Sequence, residues 1–193
     1  NLIDNMPIKI LYLIYIALTL VQIIFLWAGD MDLFESVVHS LGTAGTGGFG
    51  IKGDSIGSYS AYSQWVITAF MLIFGVNFNL YFLILIGRVK SVLKSEELRV
   101  YFLIVGASIA VICANIYHLF GNFADSIRYA SFQVASIITT TGYATADFNL
   151  WPGTPRMILL LLMFVGGSPG STAGGIKTTA LAVIFLFIML INF

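Results

Sequence analysis

Charge is what this chain has least of. Only 9% of its 193 residues are charged, 59% are hydrophobic, and mean hydropathy is +0.95. A water-exposed fold carries about 25% charged residues. So few charges cannot cover a soluble surface, and the main solvent must be lipid. Formal net charge is zero, so nothing suggests nucleic acid or an acidic substrate as a partner. Cysteine is nearly absent: Cys113 stands alone inside an apolar run, which excludes an internal disulfide and a cysteine-based metal site. His39 and His118 have no cysteine or carboxylate nearby at metal-ligand spacing. No Ser/His/Asp arrangement and no paired carboxylates suggest catalysis, so an enzyme is not expected, and neither is a cofactor. No signal-peptide pattern follows Asn1, and the chain stops within an apolar run at Phe193. It reads as an internal piece of a longer protein.

What the chain has in abundance is apolar runs. A bilayer-spanning helix needs roughly 20 mostly apolar residues. Residues 8–28, 65–86 and 100–119 each qualify, with Asn77, Asn79 and Asn115 inside or near the ends of the second and third. Residues 157–193 are too long for one uninterrupted span. They are broken at Gly166-Gly167-Ser168-Pro169-Gly170-Ser171-Thr172-Ala173-Gly174-Gly175. Irregular backbone at membrane depth survives only inside protein or along a water-filled cavity. This predicts two half-helices joined by a loop facing a pore.

Two polar stretches between the spans read alike. Residues 32–40 and 125–134 are too short and too polar to cross, and each begins with an acid that suits a helix start. The first leads into Gly45-Thr46-Gly47-Gly48-Phe49, the second into Thr139-Thr140-Thr141-Gly142-Tyr143. A threonine-rich loop ending in glycine and an aromatic, set among membrane helices, suits presentation of backbone carbonyls to a dehydrated cation. The expected fold is an all-α membrane protein of repeated span–pore helix–span units, potassium-channel-like, with the last span broken by an intramembrane loop. One unit occupies residues 1–87, a cytoplasmic basic linker 88–98, and the second unit 99–193.

The linker region carries Arg88, Lys90, Lys94 and Arg99, and Lys9 flanks the first span on the same side. The opposite loops carry Lys52, Arg128 and Arg156 together with Asp30, Asp32, Glu35, Asp54, Asp125 and Asp147. The positive-inside rule places the linker in the cytoplasm and both filter-like loops outside. The expected location is a multi-pass place in the inner, cytoplasmic membrane.

These residues resemble the Trk/Ktr/HKT superfamily of potassium and sodium translocating subunits, and within it the bacterial Trk/Ktr type. Gly45-Thr46-Gly47-Gly48-Phe49 looks like the family's second filter segment, and residues 74–82 like its second-repeat inner helix. Thr139-Thr140-Thr141-Gly142-Tyr143-Ala144-Thr145 looks like the third filter segment. Residues 166–177 are similar to the intramembrane gating loop of the third repeat. Family members place four such repeats around one pore, so repeats one and four have no counterpart here. The resemblance implies potassium uptake, a homodimer, and control by a cytosolic nucleotide-binding subunit. A sodium-translocating relative and a non-conducting membrane scaffold are the alternatives.

The expected filter residues are Thr46, Gly47, Gly48, Phe49, Thr140, Thr141, Gly142 and Tyr143. Potassium would meet the backbone carbonyls around Gly48 and Gly142. Glycine has no Cβ to obstruct such carbonyls. The threonine hydroxyls either support the filter or bond a neighbouring helix. Phe49 and Tyr143 are expected to pack behind the filter. The gate loop is assigned to Gly170, Ser171, Thr172, Gly174, Gly175 and Lys177. The other reading of its glycines is a kink for close helix packing. Lys177 either acts as a charge at the gate or snorkels to the interface. The asparagines are expected more as helix glue than as pore lining. A phosphate-binding loop is excluded, because Ile176 separates Gly175 from Lys177 and an apolar helix precedes the loop.

Overall fold

A computed structural model of the chain describes residues 6–175. Lys177 and the second half of the broken fourth span therefore lie outside the described residues. Every regular element described is helical. The first half comprises α1 (Met6–Trp27), α2 (Leu33–Ala44), α3 (Ala61–Phe74) and α4 (Phe78–Leu85). A short helix, α5 (Val89–Leu93), lies in the basic linker. The second half comprises α6 (Glu96–Phe120), α7 (Phe123–Ile138), a 3-10 turn at Phe148–Leu150, and α8 (Gly153–Phe164).

α1 and α6 are 22 and 25 residues long. At 1.5 Å per residue each reaches at least about 33 Å, enough for a hydrocarbon core about 30 Å thick. Among the described residues these two helices are long and apolar enough to cross a membrane, or three if a bent pair counts as one. α1 is apolar nearly all round and leaves Tyr12, Leu13, Ile16 and Leu20 exposed, as a lipid-facing helix does.

The expected second span departs from the single helix predicted over 65–86. It splits into α3 and α4, which meet at 89°. The break has local causes. Asn77 caps α4, its side chain accepting from the Asn79 N–H at 3.0 Å. Gly75 ends α3. Residues 168–172 occupy the carbonyls that the break releases, as described below.

The short polar stretches form helices for reasons legible in their ends. Asp32 accepts from the Glu35 N–H at 2.7 Å, and Glu35 reaches back to Asp32 in a capping box. Asn122 caps α7 through Ala124. Inside these helices Ser36, Thr43, Ser126 and Thr139 donate to carbonyls one turn back, which satisfies their hydroxyls without water. The helices are unequal, 12 residues for α2 and 16 for α7.

Packing joins the halves. α6 lies along α7, α1 along α2, and α3 crosses to α7. One apolar cluster holds α6, α7 and α8 together through Tyr101, Ile112, Ile116, Val134, Ile138 and Leu159. A second straddles both halves, with Leu26, Ile56, Ile67 and Met71 against Phe132 and Tyr143.

Candidate functional site

The two threonine/glycine segments follow the C-termini of α2 and α7, and their backbones are duplicates. Gly45 and Thr139 donate to Leu41 and Ala135, and Thr46 and Thr140 to Thr43 and Ile137. Gly47 and Gly48 both donate to the Gly42 carbonyl; Thr141 and Gly142 both donate to the Ser136 carbonyl. Each member of one set stands 94 positions from its counterpart, the spacing that also separates Phe49 from Tyr143. Dihedral angles repeat as well. Thr46 and Thr140 have φ of 49° and 56°, a left-handed conformation uncommon outside glycine. Gly48 and Gly142 have φ of 64° and 87°. Left-handed backbone two residues apart, in both copies, turns the chain away from the helix it has just left.

The copies touch. A Cβ at Gly48 would collide with the Thr141 carbonyl oxygen, so the first segment runs directly against the second. Beyond them Ile56 donates to the Ala144 carbonyl at 3.0 Å, and Ala144 donates to the Ser55 hydroxyl at 3.2 Å. Tyr143 is 1% exposed, and its hydroxyl lies 3.2 Å from the His39 carbonyl and 3.3 Å from the Phe49 carbonyl. Burial pushes this phenol up to about 12, with a contact from Thr43 working the other way, so it remains a donor at physiological pH. Phe49 behaves differently from its counterpart. It was expected behind the segment but is 78% exposed, its ring lying over Gly47. Behind the first segment, against Gly42 and the Phe49 carbonyl, lies the Tyr143 hydroxyl instead.

His39, in the last turns of α2, is buried between the rings of Tyr59 and Tyr143. Its Nδ1 donates to the Glu35 carbonyl at 2.7 Å, and Nε2 is buried without a partner. Burial pulls the imidazole below its usual range, and the Glu35 carbonyl opposes that shift. No group of three or more metal-ligating side chains occurs among the described residues.

The glycine-rich loop after α8 reaches both segments. The Thr46 hydroxyl lies 3.3 Å from the Thr172 carbonyl, and Gly174 donates to the Thr140 hydroxyl at 2.8 Å. The two left-handed threonines therefore hold the same loop. The loop also fills the break between α3 and α4. Ser168 donates to the Gly75 carbonyl, Thr172 donates to Phe74 through both its N–H and its hydroxyl, and Phe78 donates to the Gly170 carbonyl. Asn77 sits against Gly170, with its amide 3.5 Å from Glu97. Asn77 thus works as a cap and a loop contact, while Asn115 donates to Val111 on its own helix.

Thr46, Gly47, Gly48, Thr140, Thr141, Gly142, Tyr143 and loop residues 170–175 are accordingly brought into one cluster. Gly42, Ser136, Ser55 and the Tyr143 hydroxyl belong to it too, yet sequence reasoning did not single them out. For Gly42 and Ser136 the signal was available: they occupy equivalent positions when the two segments are aligned on Gly48 and Gly142.

A family model described as "TrkH: Cation transport protein" matches residues 5–190. The chain belongs to the TrkH family. It is 35% identical to the Trk system potassium uptake protein TrkH of Escherichia coli K12, over 92% of this chain and 38% of the relative. It is 32% identical to TrkG of the same organism and to TrkI of Halomonas elongata, both also named Trk system potassium uptake proteins, covering 37% and 36% of those relatives. The crystal structure of the potassium transporter TrkH from Vibrio parahaemolyticus superposes with a TM-score of 0.85 at 31% identity, across 93% of this chain and 39% of that one. The TrkH-family chain in hand thus spans well under half the length of these relatives.

Proposed function

We propose that this chain forms two neighbouring pore repeats of a potassium-uptake protein of the cytoplasmic membrane. Residues 1–87 and 99–193 are the repeats and 88–98 the cytoplasmic linker. α1, α3/α4, α6 and the broken span that α8 begins line the bilayer, while α2 and α7 re-enter and deliver the threonine/glycine segments. Carbonyls of the segments around Gly48 and Gly142 replace part of the hydration shell of K⁺. The observation that carries the reading is the duplicated hydrogen-bond and dihedral pattern of the two segments, in contact at Gly48 and Thr141. The ion follows from the names of the relatives, each a potassium uptake protein.

Loop 166–175 obstructs the inner side of the segments and moves to open it. Supporting this, the loop meets each of the two segments through one hydrogen bond, to Thr46 and to Thr140. Lys177 adds a charge at its end. The whole protein supplies the two further repeats, and by family resemblance it is a homodimer under a cytosolic nucleotide-binding subunit. The basic linker faces the cytoplasm and the filter loops face outside, in accord with the positive-inside rule.

The test is potassium uptake in cells lacking their own uptake systems, using the full-length parent protein and a Gly142→Ser variant. Rescue by the parent, with lost or sodium-leaky uptake in the variant, supports the filter and the ion together. Equal K⁺ uptake and equal K⁺/Na⁺ discrimination in both would overturn the filter assignment.

A further inference from the structure

The duplication is broken at one chemically informative position. In the second copy the Ser136 hydroxyl, on the last turns of α7, donates to the Tyr143 carbonyl at 2.6 Å. That carbonyl belongs to the residue just after Gly142, so a hydroxyl from the supporting helix ties down the outer end of the segment. The counterpart of Ser136 in the first copy is Gly42, which has no side chain to offer. The counterpart of the Tyr143 carbonyl is the Phe49 carbonyl, and it is not left free. The Tyr143 hydroxyl, coming from the other copy, lies 3.3 Å from it.

The space confirms the exchange. A Cβ built on Gly42 would collide with the Tyr143 hydroxyl oxygen, while lying 3.3 Å from the Phe49 carbonyl oxygen and 3.4 Å from the Tyr143 Cζ. A serine side chain at 42 would thus occupy the site that the phenol now fills. The two hydroxyl sources exclude one another: one carbonyl, two possible donors, and room for one. The contact with the Phe49 carbonyl is part-buried, and a carbonyl partly withdrawn from water is better off with a donor than without one.

We propose that Tyr143 is a positioning residue for cation selection, supplying across the repeat boundary the hydroxyl that Ser136 supplies within its own repeat. Gly42 is glycine to admit it. The phenol orients the Phe49 carbonyl and so sets the outer end of the first filter segment, without touching the ion. Its single proton is shared between the Phe49 carbonyl at 3.3 Å and the His39 carbonyl at 3.2 Å, so the phenol links the end of the first segment to α2. This rests on the reading of the two segments as a filter.

The experiment measures K⁺/Na⁺ uptake ratio and thermal stability of the full-length protein in proteoliposomes, for Tyr143→Phe, Gly42→Ser, the double variant Gly42→Ser/Tyr143→Phe, and Gly142→Ser as a filter control. Tyr143→Phe keeps the buried ring and loses only the hydroxyl. It is expected to lower the ratio about five-fold, the equilibrium factor of one net hydrogen bond. Gly42→Ser alone, facing an intact phenol, is expected to impair the protein. The double variant is expected to recover the parent ratio, because the new serine can donate to Phe49 once the phenolic oxygen is gone. A merely structural role for Tyr143 would change melting temperature and leave the ratio unmoved, which would overturn the proposal. So would a double variant no better than Tyr143→Phe. If Gly142→Ser also leaves the ratio unchanged, the filter reading itself has failed; if Gly142→Ser impairs it while Tyr143→Phe does not, only the present proposal has.

Discussion

A methyl group added at Gly48 would run into the Thr141 carbonyl, whereas one added at Gly142 meets no atom within 4 Å among the described residues. Both positions have left-handed backbone, so alanine costs about 1–2 kcal/mol of strain at either. Only Gly48→Ala must also push the two segments apart. We expect it to reduce K⁺/Na⁺ discrimination and thermal stability more than Gly142→Ala does, in uptake and melting assays on the full-length protein. An equal effect would mean the contact with Thr141 contributes nothing. His39 gives a second residue-scale prediction. Its folded pKa is lowered by burial, so the neutral form is the one the fold favours. The stability this confers is present above the unfolded value, about 6.5, and is lost as pH falls through and below it. Melting temperature measured from pH 8 to pH 5 should therefore fall toward acid, and His39→Gln should flatten that slope. The glycines and threonines of this region were legible as a motif. The hydroxyl of Tyr143 was not, because its partners are 94 and 104 positions away.

At the scale of elements, the break between α3 and α4 and the loop after α8 are one structural unit. A helix that bends by 89° releases carbonyls that in lipid must find donors. Phe74 and Gly75 find theirs in Thr172 and Ser168. Loop movement therefore disturbs α4 as well as the two segments. Replacing Thr46 and Thr140 together by valine removes two hydrogen bonds to the loop at about 1 kcal/mol each. This should raise basal K⁺ flux several-fold, measured without any regulatory subunit; unaltered flux would count against a gate. Asn77→Ala removes the α4 cap, at a cost of about 1 kcal/mol, and should lower the melting temperature. The break was not read from sequence because residues 65–86 are apolar almost throughout, and hydropathy alone cannot distinguish one span from two helices meeting at an angle. Asn77 was visible inside that run, but its capping role depends on which turn it starts.

For the whole molecule, the division of charge predicts orientation. Arg88, Lys90, Lys94 and Arg99 cluster around α5, and Lys52 lies beyond the first segment, on the side proposed to face outside. In a cysteine-free full-length background, a membrane-impermeant thiol reagent added to intact cells should label Lys52→Cys and spare Lys94→Cys. The reverse pattern would invert the proposed topology.

Composition required a lipid-embedded chain, because so few charges cannot solvate a surface, and apolar runs of about 20 residues made it helical, because every backbone group in lipid must be paired. The helix ends followed from short-range chemistry: Asp32, Ser60, Ser95 and Asn122 each cap within a few residues. The twin segments were visible as a repeat because their geometry is set by the turns that precede them. Only the tertiary structure decided how the copies complete one another. It set Tyr143 behind Phe49, put the Thr141 carbonyl where Gly48 must lack a side chain, and hung the glycine loop between two threonines. Those relations join residues from 34 to 126 positions apart, where no local preference acts and close packing alone chooses the partner.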